Sequence, residues 1–357
     1  SFLIAARRCE IAELERLSHT SDLVGDIGQL VHALQRERGL SNVFLASGGQ
    51  RFGPQRVAQV HETLRLEQRV RQHFDRLVEH AQQGADHNGT RLFSRIAWVL
   101  PGLMALPALR QRIADVALDA EAATAAFVQL VAGLLAVVFE AADGATDPQV
   151  SRLLGALFQF MQGKEFAGQE RACGAAAFAA GAAGRARQQR WLELIAAQER
   201  CFAAFVGFGG AALAEAWQAA QPAAELAEIE RLRRIACASP PDTPLNPELS
   251  ANWFDCCSLR IDAMKAVQDR AAADLQHLCQ RRIADAQAEA EAHLALLSRM
   301  HGDGEPASEA FFDLAPPAAP GLPDAPPAFG RQMERSVLDM LQEQSQRLQA
   351  MSDELEA

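Results

Sequence analysis

Apolar residues recur with a helical period along most of this chain, and turn-forming residues divide the pattern into segments. The first segment runs from residue 3 to about residue 46, where Gly48 and Gly49 end it. Further helical segments cover about 57–83, 91–106, 108–142, 148–183, 186–208, 211–220, 223–236 and 246–300. Because short turns between long helices favour antiparallel neighbours, we predict an all-α fold of two stacked antiparallel bundles of the four-helix type.

The sequence changes character near residue 302. Residues 302–328 combine glycine and acidic residues with many prolines, a composition typical of an extended linker. Residues 329–357 regain a helical period with leucine at every seventh position, which predicts a short coiled-coil helix and makes a homodimer reasonable. The predicted organisation is therefore a helical domain over 1–301, a linker over 302–328 and a coiled-coil-like helix over 329–357.

Composition supports helices and argues against several functions. Alanine is abundant, the chain has no Tyr, and the β-branched residues that favour strands are sparse. A net charge of −11 opposes broad phosphate binding, so we expect no DNA binding and no RNA binding by this stretch alone. The sequence contains no glycine-rich phosphate loop, metal-ligand spacing or plausible Ser/His/Asp set, so we expect neither an enzyme nor a metal site.

Three features bear on localisation. Seven cysteines without CxxC spacing indicate the reduced thiols of a cytosolic protein. The uncharged segment 122–139 is about as long as a minimal membrane span, but its polar residues and acidic flanks favour a buried bundle helix. The first ten residues place apolar side chains before basic ones, so no signal peptide is expected. We therefore predict a cytoplasmic protein without a membrane span.

One arginine lies on the apolar side of the first predicted helix. At about 100° per residue, Arg38 falls within the apolar stripe of residues 23–34, whereas Arg36 points away. An unpaired buried charge costs several kcal/mol, so Arg38 needs an anionic partner, either a carboxylate or a ligand. The same reasoning places Arg233 at the margin of a later apolar face, where a small register error would exchange it with Arg234.

Four blocks of sequence resemble one known family. They are LQRERGLSNVFLAS (34–47), FMQGKEFAGQER (160–171), IERLRRIACA (229–238) and WFDCCSLRIDAMKAV (253–267). In this order they resemble the nitrate- and nitrite-sensing (NIT) domain, an all-helical sensor of bacterial regulators. The chain as a whole is similar to nitrate-responsive transcription antiterminators, in which this sensor precedes an RNA-binding ANTAR domain. We expect that second domain to be absent from this chain.

The resemblance implies that an anion binds between two helical bundles. The family's nitrate pocket uses one arginine from the first block and one from the third, which correspond here to Arg38 and Arg233, or to Arg234 after a register shift. A guanidinium suits this ligand because its planar fork can donate two parallel bonds to an oxyanion. The resemblance implies nitrate or nitrite as ligand and no cofactor. Binding would signal through the C-terminal helix to the missing domain, which would bind a leader RNA.

Four further side chains are candidates for the site. Ser41 and Asn42, one turn after the first arginine, could supply the remaining oxyanion contacts. Lys164 and Arg171 are seven residues apart and share a helix face. They are either cations near the ligand or intrahelical partners of neighbouring glutamates, and we favour the pairing.

A structural interpretation competes with the ligand-binding one. An inward arginine in a helical bundle usually binds a buried carboxylate, and Glu37, Glu165 and Glu170 are available for that role. Trp253 and Phe254 are expected to be core anchors of the last long helix. The alternative function is therefore a helical dimerisation or scaffold module that has structural arginines and no small-molecule ligand.

Overall fold

All regular structure in the described part of the chain is α-helical, as the sequence predicts. A computed structural model describes residues 2–82, 90–238, 240 and 243–302. Its helices are α1 (Phe2–Ala46), α2 (Gly53–Gln82), α3 (Thr90–Ala114), α4 (Ala120–Asp143), α5 (Pro148–Ala179), α6 (Arg185–Ala219), α7 (Ala223–Cys237) and α8 (Leu249–Gly302). Apart from Gly302, the predicted linker over 302–328 lies outside the described residues, as does the whole predicted coiled coil over 329–357.

The helices form two groups. In the first, α1 packs against α2 and α4, and α3 packs against α4. In the second, α5 packs along α6, and a shared apolar core joins α5, α6, α7 and α8. The groups meet where α5 contacts α1 and α4. This unit extends to Ala290, and residues 291–302 at the end of α8 belong to a second unit.

Local signals predict some helix boundaries and miss others. Asp147 caps α5 as its sequence indicates, since its carboxylate accepts hydrogen bonds from the backbone N–H groups of Gln149 and Val150 at 2.9 and 3.0 Å. The predicted break near residue 210 is instead a kink within α6, where Gly210 adopts a φ of 78°. Helix α3 continues past the predicted end at 106, because its two prolines lie on the solvent side.

The apolar segment 122–139 lies within α4. By length and composition alone, both α3 and α4 could cross a membrane. Most of α4 from residue 130 onward is buried against other helices, as expected of a bundle helix. Helix α3 is less buried, and Trp98 and Met104 on it are exposed.

Two glycines provide a test of how tightly the helices pack. Gly174 on α5 lies against the indole rings of Trp191 and Trp253, so an added Cβ would collide with both rings. Gly25 on α1 has no neighbouring heavy atom within 4 Å of an added Cβ. We expect Gly174→Ala to lower the free energy of unfolding by about 1–3 kcal/mol. Gly25→Ala should raise it by roughly 0.5–1 kcal/mol, because alanine favours a helix interior.

Urea denaturation followed by circular dichroism measures both changes. The packing described for the two tryptophans would be contradicted if Gly174→Ala were as stable as Gly25→Ala.

Candidate functional site

Arg38 is buried at the crossing of α1 and α5, in contact with one carboxylate. It is 3% exposed, and it donates from Nη1 to Glu165 Oε1 at 2.5 Å and from Nη2 to Oε2 at 3.2 Å. Gln35 and Gln169 donate to the same carboxylate at 2.8 and 2.9 Å. The predicted inward orientation of Arg38 is confirmed, and Arg36 is exposed. A bidentate, charge-assisted pair of this kind ties α1 firmly to α5.

Arg171 lies near the same crossing but has no carboxylate partner. Its Nη1 donates to the hydroxyl of Ser258 on α8 at 2.9 Å. Its guanidinium carbon lies 4.7 Å from the ring centroid of Phe254, one turn earlier on α8. No carboxylate of the described residues forms an ion pair with Arg171. Its positive charge is therefore held by a hydroxyl and an aromatic ring.

Two glycines bring the arginines close together. A Cβ on Gly168 of α5 would lie 2.7 Å from Arg38 Nη2, and a Cβ on Gly39 of α1 would lie 3.0 Å from Arg171 Nη2. Each guanidinium therefore rests against the helix that carries the other arginine. Burial first, and the charge of Arg38 second, lower the pKa of Arg171 to about 10. An anion placed between the two groups would relieve this repulsion.

Lys164, two turns before Arg171 on α5, is also buried without a carboxylate partner. It is 0% exposed, and its Nζ donates to Gln268 Oε1 on α8 at 2.5 Å. Burial first, and the charge of Lys265 second, lower the pKa of Lys164 to about 7, although Asp269 acts in the opposite direction. Among the described residues no ion pair involves this lysine.

The expected intrahelical pairing of the two α5 cations is wrong. Glu165 is occupied by Arg38 and two glutamines, as described above. Glu170 accepts hydrogen bonds from Trp191 and Gln198 at 2.9 and 2.6 Å, and from an arginine of α7. The physical reason is that residues of α1, α6 and α7 already bind these carboxylates, whereas Lys164 and Arg171 reach acceptors on α8.

We call Arg38, Lys164 and Arg171 the cationic cluster. The charges of Lys164 and Arg171 also act on His32 of α1, where burial is the largest influence, and lower its pKa to about 2. The buried Nδ1 of His32 has no hydrogen-bond partner in the described structure. His32 is therefore neutral at ordinary pH. Glu165 balances the charge of Arg38, so the charge of Arg171, together with that of Lys164 when it is protonated, favours a small anion.

Arg233 takes part in a separate network. It is 9% exposed, and its Nε and Nη2 donate to the two carboxylate oxygens of Glu170 at 2.7 and 2.6 Å. Burial alone would lower the pKa of Arg233, but Glu170 raises it. Arg234 is exposed, so Arg233 is the inward arginine of the two. No contact in the described structure joins Arg233 to Arg38.

Arg260 of α8 was not among the predicted site residues. Its Nη1 donates to Gln198 Oε1 at 3.1 Å, and its Nε is buried without a hydrogen-bond partner in the described structure. Burial first, and the charge of Arg233 second, lower the pKa of Arg260. Because Gln198 lies 62 positions away in sequence, helical period alone could not reveal this contact.

The two polar residues after Arg38 differ in their contacts. Ser41 is 1% exposed, and its hydroxyl has no hydrogen-bond partner in the described structure. Asn42 donates to Thr124 Oγ1 on α4 at 3.0 Å, which directs its amide toward the first bundle. Of the two side chains, Ser41 therefore has the more available hydrogen-bond donor.

Two surface grooves lie away from the cationic cluster. One of about 270 Å³ lies between α2 and α3, and one of about 220 Å³ lies among α1, α2, α3 and α4. Neither is lined by Arg38, Lys164 or Arg171. Within the described residues, no group of three or more His, Cys, Asp and Glu side chains is placed to hold a metal ion. The cluster lies at a charged junction of three helices, α1, α5 and α8.

Comparison with known proteins shows which proteins this chain is similar to. Residues 29–276 match the family described as nitrate and nitrite sensing (NIT). The chain is 34% identical over 270 residues to a nitrate regulatory protein of Klebsiella oxytoca, a match that covers 76% of this chain and 66% of that relative, just under two thirds of its length. It also matches the solved structure of the NasR transcription antiterminator with a TM-score of 0.69 and 30% sequence identity, over 87% of this chain and 85% of that one.

The buried lysine makes a prediction about pH. The unfolded chain keeps Lys164 protonated up to its ordinary pKa of 10.5, whereas the folded chain releases this proton near a pKa of about 7. The unfolded state therefore binds more protons between these values, so the contribution of Lys164 to stability rises with pH. We expect the unfolding free energy of the wild type, minus that of Lys164→Met, to rise by about 1 kcal/mol per pH unit between about pH 7.5 and 9.

Urea denaturation at several pH values measures this slope. Met161→Leu, an apolar change at another fully buried position of α5, serves as the control and should leave the pH dependence unchanged. Parallel pH profiles for the wild type and Lys164→Met would contradict a depressed lysine pKa.

Proposed function

Because this chain belongs to the nitrate- and nitrite-sensing (NIT) family, we propose that it binds nitrate or nitrite at the cationic cluster, as a signal and not as a substrate. The observation that carries the proposal is Arg171, a cation beside Arg38 whose contacts are a hydroxyl and an aromatic ring. The family match spans both residues. The relatives described above are named as a regulatory protein and an antiterminator, in keeping with a binding function.

The chemistry of the cluster suits a small planar monoanion. A guanidinium offers five N–H donors in one plane, and Glu165 engages two of the nitrogen atoms of Arg38. Arg171 gives one bond to Ser258 and retains its other donors for a ligand. Nitrate and nitrite carry one negative charge on planar oxygens, so an ion between the arginines would accept from both.

Neighbouring groups extend this binding site. Lys164 adds positive potential from α5 when it is protonated, and the unpaired hydroxyl of Ser41 is a further donor one turn from Arg38. Asn42 would join only by leaving Thr124. Arg233, with the exposed Arg234 beside it, stays a predicted ligand residue, but it would have to exchange its bonds to Glu170 for the anion.

The proposal extends to the wider regulator. The chain spans slightly less than two thirds of the curated relative, so the activity of a whole protein is inferred from the resemblance. We propose a cytoplasmic homodimer in which anion binding changes the arrangement of the bundles. That change would pass to a C-terminal RNA-binding domain, which would then act on a leader RNA. Such coupling requires tighter anion binding by the active arrangement than by the resting one.

The alternative is a scaffold that recognises no anion. The bidentate bonds of Arg38 to Glu165 and of Arg233 to Glu170 are what a purely structural arginine makes. Arg171 favours a ligand-binding function, because a carboxylate beside this partly buried cation would serve a purely structural role better.

Titration calorimetry with nitrate distinguishes the two functions. Arg171→Met removes a cation without leaving an unpaired carboxylate, so the variant should fold and bind nitrate roughly tenfold to a hundredfold more weakly. Arg36→Met, a change on the exposed side of α1, is the matched control and should bind as the wild type does. Nitrate binding that Arg171→Met leaves unchanged would contradict this site.

Arg38 is tested together with its partner. Removing Arg38 alone would leave Glu165 buried and uncompensated, which is strongly destabilising. The double variant Arg38→Met, Glu165→Met removes both charges, so it should remain folded and lose nitrate binding in the same titration. Retention of wild-type affinity would exclude Arg38 as a ligand contact.

Thermal denaturation tests selectivity for the anion. A ligand that binds only the folded state stabilises it by RT ln(1 + [L]/Kd), which is about 2.7 kcal/mol at a hundred times Kd. We expect nitrate to raise the melting temperature above that in chloride at equal ionic strength. Equal melting temperatures in the two salts would support the scaffold.

A further inference from the structure

We infer that one turn of α8, residues 254–258, positions Arg171 for the anion and thereby couples α8 to occupancy of the site. This inference rests on the proposed function. It assigns to Phe254 and Ser258 a positioning role beyond the family's two arginines, and it makes α8 the helix that responds to the ligand.

Ser258 is a fixed acceptor for the guanidinium. Its hydroxyl donates to the backbone carbonyl of Phe254 at 2.7 Å, so its single proton is already used. A lone pair is left for Arg171 Nη1, which lies 2.9 Å away. The Phe254 ring lies under the same guanidinium, with 4.7 Å from the centroid to the central carbon. The hydroxyl fixes one edge of the group and the ring fixes its plane.

The opposite edge of the guanidinium is directed toward α1. Arg171 Nη2 lies so close to Gly39 that an added Cβ would be 3.0 Å away. Gly39 directly follows Arg38, and the Arg38 guanidinium lies against Gly168, one turn before Arg171. The α8 contacts therefore hold the Arg171 guanidinium near that of Arg38, despite the repulsion between the two charges. An anion bridging the two would remove this repulsion and hold Arg171 in the position that its α8 contacts define.

A neutral acceptor on α8 distinguishes Arg171 from three arginines that bind buried carboxylates. Arg38, Arg110 and Arg233 each donate two bonds to a buried carboxylate, on Glu165, Glu37 and Glu170 in turn. A carboxylate at 258 would neutralise Arg171 and weaken its attraction for a second anion. Serine fixes the guanidinium and leaves its charge uncompensated, which a ligand contact requires.

A second contact of the same kind lies further along α8. Gln268 accepts from Lys164 at 2.5 Å through its neutral carbonyl oxygen. The amide nitrogen of Gln268 lies against Gly28 of α1, 2.7 Å from an added Cβ. Lys164 and Arg171 therefore both contact α8, and neutral side chains accept their hydrogen bonds.

The test uses three serine variants of the same helix, with nitrate as the probe. Ser258→Ala removes the acceptor, Ser258→Thr restores a hydroxyl, and Ser250→Ala is the matched control. Ser250 also bonds α8 to α5, through the carbonyl of Ala175 at 3.0 Å, but it lies two turns before the cation contact. Urea denaturation of the anion-free variants would show whether Ser258→Ala and Ser250→Ala lose comparable stability.

Two readouts follow nitrate in each variant. Calorimetry should give roughly fivefold weaker binding for Ser258→Ala, with wild-type affinity for Ser258→Thr and Ser250→Ala. Amide hydrogen exchange should show that nitrate slows exchange in residues 254–262 more than in α2 or α3 of the wild type. Ser258→Ala should lose this local protection, while Ser250→Ala should keep it.

The outcomes separate this inference from the proposed function. If the wild-type chain binds nitrate but Ser258→Ala retains full affinity, the positioning role is overturned and the proposed function stands. Equal loss of affinity in Ser250→Ala would also overturn it, because the effect would then be general loosening of α8. If the wild type shows no nitrate binding at all, both proposals fail together.

Discussion

The compensation of buried positive charge is the constraint on which this structure depends. Helix α5 carries the buried Lys164 and the partly buried Arg171 into the junction with α1 and α8, where water screens their charges poorly. Arg38 meets this constraint through the carboxylate of Glu165, which two glutamines also hold in place. This pair joins the two helical groups, and hydrogen bonds from Arg38, Gln35 and Gln169 fix the position of the carboxylate.

Arg171 and Lys164 meet the same constraint differently. Neutral oxygens on α8 accept their hydrogen bonds. Burial lowers the pKa of both side chains, which favours their uncharged forms. The junction therefore satisfies hydrogen bonds of both cations but leaves their positive charges without a carboxylate partner. A small anion would supply what the chain lacks. We propose that this incomplete compensation connects the fold to the sensing function of the family.

The sequence predicted those parts of the molecule that depend on local period and local hydrogen bonds. The inward orientation of Arg38 follows from about 100° per residue, and the Asp147 cap follows from its place before Pro148. The partner of Arg171 did not follow in this way, because Ser258 lies 87 positions away and is brought close only by tertiary packing. Phe254 was expected in the core, yet it is half-buried beneath the guanidinium.

We propose that the anion lies between Arg38 and Arg171, at the crossing of α1 and α5. A crystal structure of this chain grown with nitrate would locate the anion. We expect nitrate oxygens within hydrogen-bonding distance of both guanidinium groups, with Arg171 still in contact with the Phe254 ring. Nitrate bound instead at Arg233 and Arg260, with the α1–α5 crossing unchanged, would contradict the claim.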